Sequence, residues 1–544
     1  MTAETPRVVR PDSPFAPLRN RAFFWLWLGV TISGVGTWMQ AVGAQWLFVD
    51  DPNAATIVAL IQTATTLPMV LLSLPAGVLA DIFDRRWLLF FVQCYTITVA
   101  ATLALLGFQG AISAPLLLSF TFALGVGMAL QVPTWQSLIP EVVRREEIGA
   151  AARLDMISVN VARAVGPAVA GALIATLGVP AVFAANACCV AVMAVILLVW
   201  RRPRESTGVS RERFLPALRA GGRFVRHEPI VRRILARLAM FVAPATAMWA
   251  LLPIIAAQRL GVTAGGYGLL FGALGVGAVS GAMLIPKVKD RLSANGLLAV
   301  AAVSYAVALA TTVLVPLYVV ALLALVVCGL GWTVTASVLV AELQMFLPAW
   351  VRARAVAIYM MTFTASQAVA SPIWGQVTQH FGVVPAICVA ATLTALTAVV
   401  GIWLRMPEAS AVDNSPAAFW SEVALAVDPD PFGGPVAVQV DYEVAPENQE
   451  AFVAAMEDMR RSRRRNGATD WVFYRVGEEA EHFTEIFTVA SWEEHLRQHA
   501  TRLTAQDAEI EANAFRWASR PPRGRHLLPP GSAMVSPDDP DAAR

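Results

Sequence analysis

Long apolar runs separated by short polar loops dominate the first four hundred residues. A helix needs about 20 apolar residues to cross the hydrocarbon core of a bilayer, and twelve runs before residue 405 provide them. They lie at 22–49, 54–80, 87–108, 113–138, 150–176, 180–200, 232–257, 265–286, 296–315, 317–340, 353–379 and 383–404. The pattern predicts an all-α membrane domain of twelve transmembrane helices.

Polar loops recur at matching positions, which indicates that one six-helix half is repeated. The matching pairs are Gly77–Arg86 with Gly281–Arg291, Ile139–Glu147 with Leu347–Arg354, and Leu177–Phe183 with Phe381–Ile387. The repeat predicts an N-terminal half at 21–200 and a C-terminal half at 232–405, joined by a linker at 201–231.

Lys and Arg concentrate in alternate loops, and this distribution sets the expected orientation. Basic clusters precede the first helix and recur at 84–86, 144–145, 201–233, 287–291 and 352–354. Short loops rich in Lys and Arg stay on the cytoplasmic side of a membrane. We therefore expect a multi-pass protein of the bacterial inner membrane, with the tail at 1–20, the linker and everything beyond residue 405 in the cytoplasm.

Composition supports a membrane protein and excludes several other classes. Of 544 residues, 57% are hydrophobic and only 15% are charged, which is typical of membrane proteins. The formal net charge of +2 gives no indication of nucleic-acid binding. The five cysteines all lie in apolar runs, so neither a disulfide framework nor a paired-cysteine metal site is predicted. No cofactor is expected.

Beyond residue 405 the sequence becomes that of a soluble domain. A stretch rich in Pro, Ala and Asp at 406–434 predicts a linker, 435–530 a cytoplasmic α+β domain, and 531–544 a disordered tail. Period-two alternation predicts strands at Val436–Glu443, Asp470–Val476, His482–Val489 and near Arg525–Leu528, with helices at Pro446–Arg465 and Ser491–Phe515. The order β-α-β-β-α-β resembles ferredoxin-like domains related to antibiotic biosynthesis monooxygenases.

Large aromatic side chains in these strands suggest that the domain mediates dimerisation. They are Tyr442, Trp471, Phe473, Phe483 and Phe487. We expect some of them to lie on the sheet face opposite the helices, where an exposed apolar patch marks an interface.

The repeated halves and one loop motif resemble the major facilitator superfamily of secondary transporters. Gly77-Val-Leu-Ala-Asp81, followed by Arg85 and Arg86, lies in the loop after the second helix. Ile82 and Asp84 depart from the usual pattern. The resemblance implies two halves that rock about a central site. It also implies a conformational role for Gly77, Asp81, Arg85 and Arg86.

A second motif, on the fifth helix, favours export. Gly166-Pro167 and Gly171 resemble part of the motif of antiporter-type facilitators, in which small residues permit close helix packing. We therefore include Gly166, Pro167 and Gly171 among the residues expected to act in conformational change.

Amide and indole side chains on the membrane helices are the candidate substrate-binding residues. They are Gln40, Gln62, Trp135, Gln136, Trp249 and Gln367. The resemblance implies that helices one, four, seven and ten line the cavity. These groups offer hydrogen bonds and flat apolar area, which suit a large, partly polar ligand.

Charges within the membrane runs are the candidates for ion coupling, since such charges are costly and usually functional. Asp155 and Arg163 lie on the fifth helix and Glu342 near the end of the tenth. In one interpretation Asp155 is a proton site with Arg163 as its counter-charge. In the other, the two form an interfacial pair that fixes helix depth, and Glu342 is likewise interfacial.

One pair of histidines in the soluble domain has a spacing compatible with metal binding. His495 and His499 are one helical turn apart. The sequence names no third ligand, and a solvated helix face explains the spacing as well, so no metal site is predicted.

Together these features resemble the facilitator branch of the enterobactin exporter and the transmembrane secretion effectors. The resemblance implies a proton-coupled efflux permease, not an enzyme, whose substrate is a siderophore, a drug-like compound or another secondary metabolite, as in multidrug efflux. Two alternatives stay open: nutrient uptake by the same fold, and a transporter fused to a metabolite-modifying monooxygenase-like domain.

Overall fold

The computed structural model describes residues 15–200, 214–406, 425–530 and 533–534, together with residues 415, 417 and 420. Most of the predicted N-terminal tail and C-terminal tail, and part of both predicted linkers, lie outside the described residues. The chain divides into two compact units. The first contains residues up to 209, 237–338 and 360–405; the second contains 210–236, 339–359 and 406 to the end.

Twelve helices in the described part are long and apolar enough to cross a membrane, as the apolar runs predict. They are α1 (Arg21–Leu47), α2 (Ala54–Ile82), α3 (Arg85–Phe108), α4 (Ala114–Val142), α5 (Ile148–Leu177), α6 (Val179–Val199), α8 (Pro229–Ile254), α9 (Ala264–Val288), α10 (Ala294–Leu314), α11 (Tyr318–Phe346), α12 (Ala349–Phe381) and α13 (Val383–Trp403). A π-helical turn, Ile255–Arg259, extends α8. A further helix, α7 (Phe214–His227), belongs to the predicted linker.

Local sequence signals explain where several of these helices begin and end. The Asn20 side chain accepts hydrogen bonds from the backbone amides of Ala22 and Phe23 and so caps α1. Single glycines separate α5 from α6 and α12 from α13. Gly178 and Gly382 have φ of +82° and +86°, a conformation that favours glycine. Their equivalent places in the two halves support the predicted repeat.

From residue 425 onwards, the described part of the second unit contains a four-stranded antiparallel sheet and three α-helices. The strands are β2 (Val436–Glu443), β3 (Asp470–Arg475), β4 (His482–Val489) and β5 (Arg523–Leu527), in the order β3-β4-β2-β5. Two short strands, β1 (Val427–Asp428) and β6 (Ala533–Met534), pair separately. The helices are α14 (Gln449–Arg465), α15 (Trp492–Arg497) and α16 (Ala505–Phe515).

The single helix predicted from Ser491 to Phe515 is wrong, because two helices occupy this stretch. α15 passes into a π-helical turn, Gln498–Arg502, and a new helix then begins at Thr504. The Thr504 side chain accepts a hydrogen bond from the Asp507 amide, and the Asp507 carboxylate accepts one from the Thr504 amide. This capping box starts α16 independently of the preceding turn.

The core of this unit lies between the sheet and α14. Tyr442, Phe483 and Phe487 are almost fully buried, and the ring of Phe452 on α14 lies 5.1 Å from Tyr442 and 5.6 Å from Phe483. The expectation that aromatic residues form an exposed patch is therefore wrong for these three. Alternation along a strand fixes which residues share a face, but only the helices decide which face is covered.

Buried ion pairs join α14 to distant parts of the chain. The Arg465 guanidinium lies 2.7 Å from Asp507 and 2.8 Å from Glu228, which immediately precedes α8. Burial alone would lower the pKa of Arg465, but the two carboxylates raise it above its usual range. Residues at the start of α8 are thus tied to the soluble domain.

Candidate functional site

One contact in the membrane part joins two of the predicted site residues. The indole Nε1 of Trp135 on α4 donates a hydrogen bond to the Asp155 carboxylate on α5, at 2.8 Å. Trp135 is only 5% exposed and Asp155 is half-buried. The partner of this membrane carboxylate is therefore a neutral donor, which satisfies one lone pair without cancelling the charge.

The structure does not bring Asp155 and Arg163 together. The Arg163 guanidinium lies over the ring of Trp38 on α1, 5.5 Å from the ring centroid. Its Nε is buried and has no hydrogen-bond partner among the described residues. A cation over an indole face is stabilised, yet the guanidinium keeps donors that an anionic ligand could use.

An aromatic row begins at Trp38 in the N-terminal half and continues through four rings of the C-terminal half. The successive rings are Trp38 (α1), Phe271 (α9), Trp249 (α8), Trp332 (α11) and Phe363 (α12). Neighbouring ring centroids are 5.3 to 5.8 Å apart, the distance of favourable aromatic pairs. The indole nitrogen of Trp249 is buried without a hydrogen-bond partner among the described residues.

Sequence reasoning included Trp249 but missed Trp332, Phe271 and Phe363. The expectation that the tenth span lines the cavity could have identified Trp332, which lies on that span. No sequence signal distinguishes Phe271 or Phe363 from the other apolar residues of their helices.

Two predicted glutamines meet where α2 and α12 come together. The Gln62 side-chain amide donates to the Gln367 side-chain oxygen at 3.3 Å, and the Thr63 hydroxyl donates to the backbone oxygen of Ala368 at 3.0 Å. Further along the same two helices, a Cβ added to Gly375 would lie 2.6 Å from that of Ala59. The two halves are in close contact here.

The glycine and proline motif of α5 forms a second contact between the halves. A Cβ at Gly171 would lie 2.7 Å from the backbone oxygen of Ala264, and one at Gly268 would lie 2.5 Å from that of Pro167. A Cβ at Gly166 would lie 2.6 Å from that of Trp38. Small residues thus let α5 approach α9 and α1 closely.

Both contacts between the halves lie at one end of the helical bundle, which we call the closed end. It is formed by the last turns of α1, α5 and α12 and the first turns of α2 and α9. Tyr267 adds to it, since its hydroxyl lies 2.5 Å from the Gln45 side-chain oxygen and its ring stacks on Trp46.

The loop motif between α2 and α3 links three helices of the N-terminal half. Arg85 forms an ion pair with Glu141 at the end of α4. Arg86 donates to the backbone oxygens of Leu197 and Leu198 at the end of α6, at 2.8 and 2.9 Å. These carbonyls are unsatisfied within their own helix, so the arginine caps it. Gly77 has open space around it, and the side chain of Asp81 lies outside the described residues.

The remaining predicted residues have other surroundings. Gln40 is buried between α1 and α6, where its side-chain oxygen lies 3.4 Å from the Asn186 amide. Gln136 is exposed on α4, and Glu342 is half-buried near the end of α11 in the second unit. The structure therefore assembles Trp135 with Asp155, Gln62 with Gln367, and Arg163 with the row that contains Trp249.

Comparison with known proteins decides the family. The profile of the family described as transmembrane secretion effector matches residues 12–532. The chain belongs to this family of major facilitator proteins. The match extends through the soluble domain as well as the twelve membrane helices, so the sheet lies within the part of the chain that the family profile describes.

Two curated relatives share part of the chain. A staphyloferrin A transporter of Staphylococcus aureus (strain NCTC 8325 / PS 47) is 22% identical over 255 residues, which cover 47% of this chain and 64% of the relative. An uncharacterised MFS-type transporter, YfiS of Bacillus subtilis (strain 168), is 24% identical over 216 residues, covering 37% and 48%. The chain thus spans less than two thirds of the length of either relative.

Solved transporters share the fold of the membrane part. A bacterial homologue of the human lysosomal transporter Spinster has a TM-score of 0.54 at 16% identity, covering 72% of this chain and 96% of its own. A D-xylose-proton symporter has a TM-score of 0.56 at 14% identity, covering 72% and 99%. The nucleoside transporter NupG has a TM-score of 0.56 at 11% identity, covering 70% and 98%. At these identities the likeness concerns the fold alone.

Proposed function

We propose that this protein is a secondary active transporter that exports a siderophore or a related secondary metabolite by alternating access. The observation that carries the proposal is the aromatic row, which begins beside the half-buried Arg163 and links Trp38 of one half to four rings of the other. A ligand bound there would touch both halves, which is what a site at the centre of a rocking transporter requires.

The closed end suggests which contacts between the halves must change during export. If the basic loops are cytoplasmic, the closed end faces outside. Export then requires the contacts of α5 with α9 and of α2 with α12 to separate. Such packed contacts suit a gate because they have two discrete states, joined and apart.

Arg163 narrows the class of substrate. Its guanidinium faces an indole and has no acidic partner among the described residues, so a carboxylate on the substrate would supply the missing charge. The neighbouring rings would hold a flat or apolar portion. We therefore propose a metabolite that carries at least one carboxylate; the relative that transports staphyloferrin A makes that compound the first probe.

Asp155 is our candidate for proton coupling. Glu141 and Glu147, at the ends of their helices, are paired with Arg85 and Arg144, whereas Asp155 accepts a hydrogen bond from a neutral indole. A carboxylate that is free of cationic partners can change protonation without breaking an ion pair. Proton entry at Asp155 would then be coupled to the movement of α4 against α5.

For the soluble domain we propose a ferredoxin-like arrangement that associates with a second copy. The strand order β3-β4-β2-β5 with helices after β2 and β4 supports this topology. The side chains of β2 that point away from the core, Gln439, Asp441 and Glu443 among them, are only half-buried. Sedimentation of the detergent-solubilised protein as a monomer would contradict this association.

Transport of labelled staphyloferrin A in oriented vesicles tests direction, substrate and coupling together. Inside-out vesicles should accumulate the compound, and a protonophore should abolish accumulation. Arg163→Gln should prevent it, whereas Arg153→Gln, an exposed arginine on the same helix, should not. Accumulation only in right-side-out vesicles would indicate uptake, and normal transport by Arg163→Gln would refute the role of the arginine.

The orientation of the protein in the membrane can be tested separately. Asp470 is exposed on β3, and in a cysteine-free background Asp470→Cys should react with an impermeant maleimide only after the cells are broken. Labelling of intact cells from outside would contradict the predicted topology.

A further inference from the structure

Three histidines of the soluble domain converge, although they come from separate elements. His495 lies on α15, His499 in the π-helical turn that follows it, and His526 on β5. Nε2 of His495 is 3.2 Å from Nε2 of His499 and 2.9 Å from Nε2 of His526. Their ligand atoms all lie within 4.8 Å of one another. We call these three residues the tri-histidine cluster.

The environment of His495 fixes which nitrogen faces the cluster. The Gln498 side-chain amide donates to the backbone oxygen of Asn466 at 3.3 Å, so its oxygen points to Nδ1 of His495 at 3.1 Å. That oxygen can only accept, and Nδ1 must therefore carry the proton. The Nε2 lone pair of His495 is left facing the other two rings. Orientation of a histidine ligand by a neighbouring acceptor is a usual feature of metal sites.

Hydrogen bonds among the three rings cannot satisfy this arrangement. The single Nε2 lone pair of His495 has two imidazole nitrogens within 3.2 Å, and one lone pair suits one donor. If the second imidazole nitrogen carries a proton, it competes with the first for the His495 lone pair. If it carries a lone pair, the two lone pairs repel each other. A single cation would satisfy all three lone pairs.

The spacing also matches a metal ion. Three nitrogens about 2.0–2.1 Å from a tetrahedral Zn²⁺ lie about 3.3 Å from one another, close to the two observed distances. Imidazole suits transition metals, whereas Mg²⁺ and Ca²⁺ prefer oxygen ligands. The adjacent Glu494 carboxylate lies 2.6 Å from Arg502 and is held in that ion pair. The fourth position is thus left to water or an exogenous donor.

We propose that the tri-histidine cluster is a binding site for a divalent transition metal, with Zn²⁺ as the best match. The ion would join β5, the last strand of the sheet, to the α15 region. The rings of Trp420 and Trp492 lie 4.6 Å from His499 and 5.7 Å from His526; they would shield the site and limit the room for large ligands. Metal occupancy would therefore stabilise the soluble domain, whatever compound the membrane part transports.

Metal titration of the full-length protein tests the proposal. Tag-free protein in detergent is stripped with a chelator and titrated with Co²⁺, whose visible absorption reports a tetrahedral site, and Zn²⁺ is then added in competition. We expect one Co²⁺ per chain, displaced by Zn²⁺, and a higher Tm in the presence of Zn²⁺. Wild-type protein that takes up no Co²⁺ at one equivalent, or only gives the spectrum of the free aqueous ion, overturns the proposal.

Variants assign the ligands. His526→Gln should lower the affinity on the order of 100-fold or more, since it removes one of three ligands. His482→Gln is the matched control, because His482 is a half-exposed histidine of the same sheet that pairs with Glu479. Equal losses in both variants would overturn the assignment. Gln498→Leu leaves all three ligands in place and should cost about 10–100-fold; undiminished affinity in this variant would refute the orienting contact even if His526→Gln fails to fold.

Discussion

Gly268 offers the sharpest test of the gate between the halves. A Cβ at this position would lie 2.5 Å from the backbone oxygen of Pro167 and 3.2 Å from the Cα of Gly171. To restore an ordinary contact of 3.4 Å, α5 and α9 must separate by up to about 0.9 Å. Gly268→Ala should therefore destabilise the closed end selectively, because only the joined state places these two helices in contact.

The expected shift follows from the cost of overpacking. Forcing one methyl group into a packed contact costs about 1–3 kcal/mol, which corresponds to a change of about 5- to 150-fold in the ratio of the two conformations. Gly272→Ala is the matched control. It lies one turn further along α9, where the nearest atom to an added Cβ is 3.7 Å away. Both variants gain the same helix propensity. Any difference between them in the ratio of the two conformations therefore reports the contact between α5 and α9.

Distances between spin labels at the closed end measure the shift. Leu177 and Leu317, one in each half, are 66% and 60% exposed and accept labels without disturbing the core. In liposomes, Gly268→Ala should enlarge the population with longer distances between the labels, and Gly272→Ala should resemble the parent protein. Identical distributions in the parent and Gly268→Ala would refute the proposed gate, and equal shifts in both variants would refute its location.

Three further predictions concern the polar contacts. Trp135→Phe removes the hydrogen bond to the Asp155 carboxylate. Such a bond contributes about 1.5–3 kcal/mol, so transport should slow by about tenfold or more. The double variant Trp135→Phe, Asp155→Asn should transport no more slowly than Asp155→Asn alone. Arg465→Met should destabilise the protein by about 3–5 kcal/mol in denaturant titrations, since it leaves two carboxylates buried, whereas Arg460→Met, in an exposed pair, should change stability by less than about 1 kcal/mol. Burial lowers the pKa of His495 to about 3 and of His499 to about 4, below their unfolded value of about 6.5. In the metal-free protein unfolding therefore takes up a proton at each histidine, and each should lower stability by about 1.4 kcal/mol for every unit by which the pH falls from 6 to 4. A stability profile that is flat in this range would contradict this.

The architecture of the membrane part could be predicted from run length and loop charge alone. Backbone groups in lipid must be hydrogen-bonded within the protein, and a helix does this within one segment. An apolar run that is long enough to cross the membrane therefore forms a helix. The repeat was visible because equivalent turns need equivalent residues, as Gly178 and Gly382 show. The strands of the soluble domain were predicted for a similar reason, since alternation is imposed by one covered face.

The partners of the site residues could not be predicted in the same way. Asp155 and Arg163 lie two turns apart on one helix, which suggested a pair, yet each side chain meets a tryptophan of another helix. Rotation of a helix about its axis decides such contacts, and it is set by packing that no single segment encodes. The sequence does not predict the third histidine, because His526 lies on a strand 31 residues after His495 and only the tertiary fold brings the two together.

The soluble domain is bound more firmly to its neighbours than its separate composition suggests. Within the second unit, Glu228 forms a buried ion pair with Arg465, and the Arg502 guanidinium lies 5.0 Å from the centroid of the Trp350 ring. Glu228 immediately precedes α8, and Trp350 lies in the first turn of α12. Truncation of the chain near residue 410 removes both arginines, leaving the Glu228 carboxylate without its partner at the start of a membrane helix. Truncation also removes the residues that bury this carboxylate, so water would replace the arginine, and the beginning of α8 and of α12 would lose the contacts that these arginines make. The soluble domain therefore supplies contacts to the beginning of α8 and of α12 within the second unit.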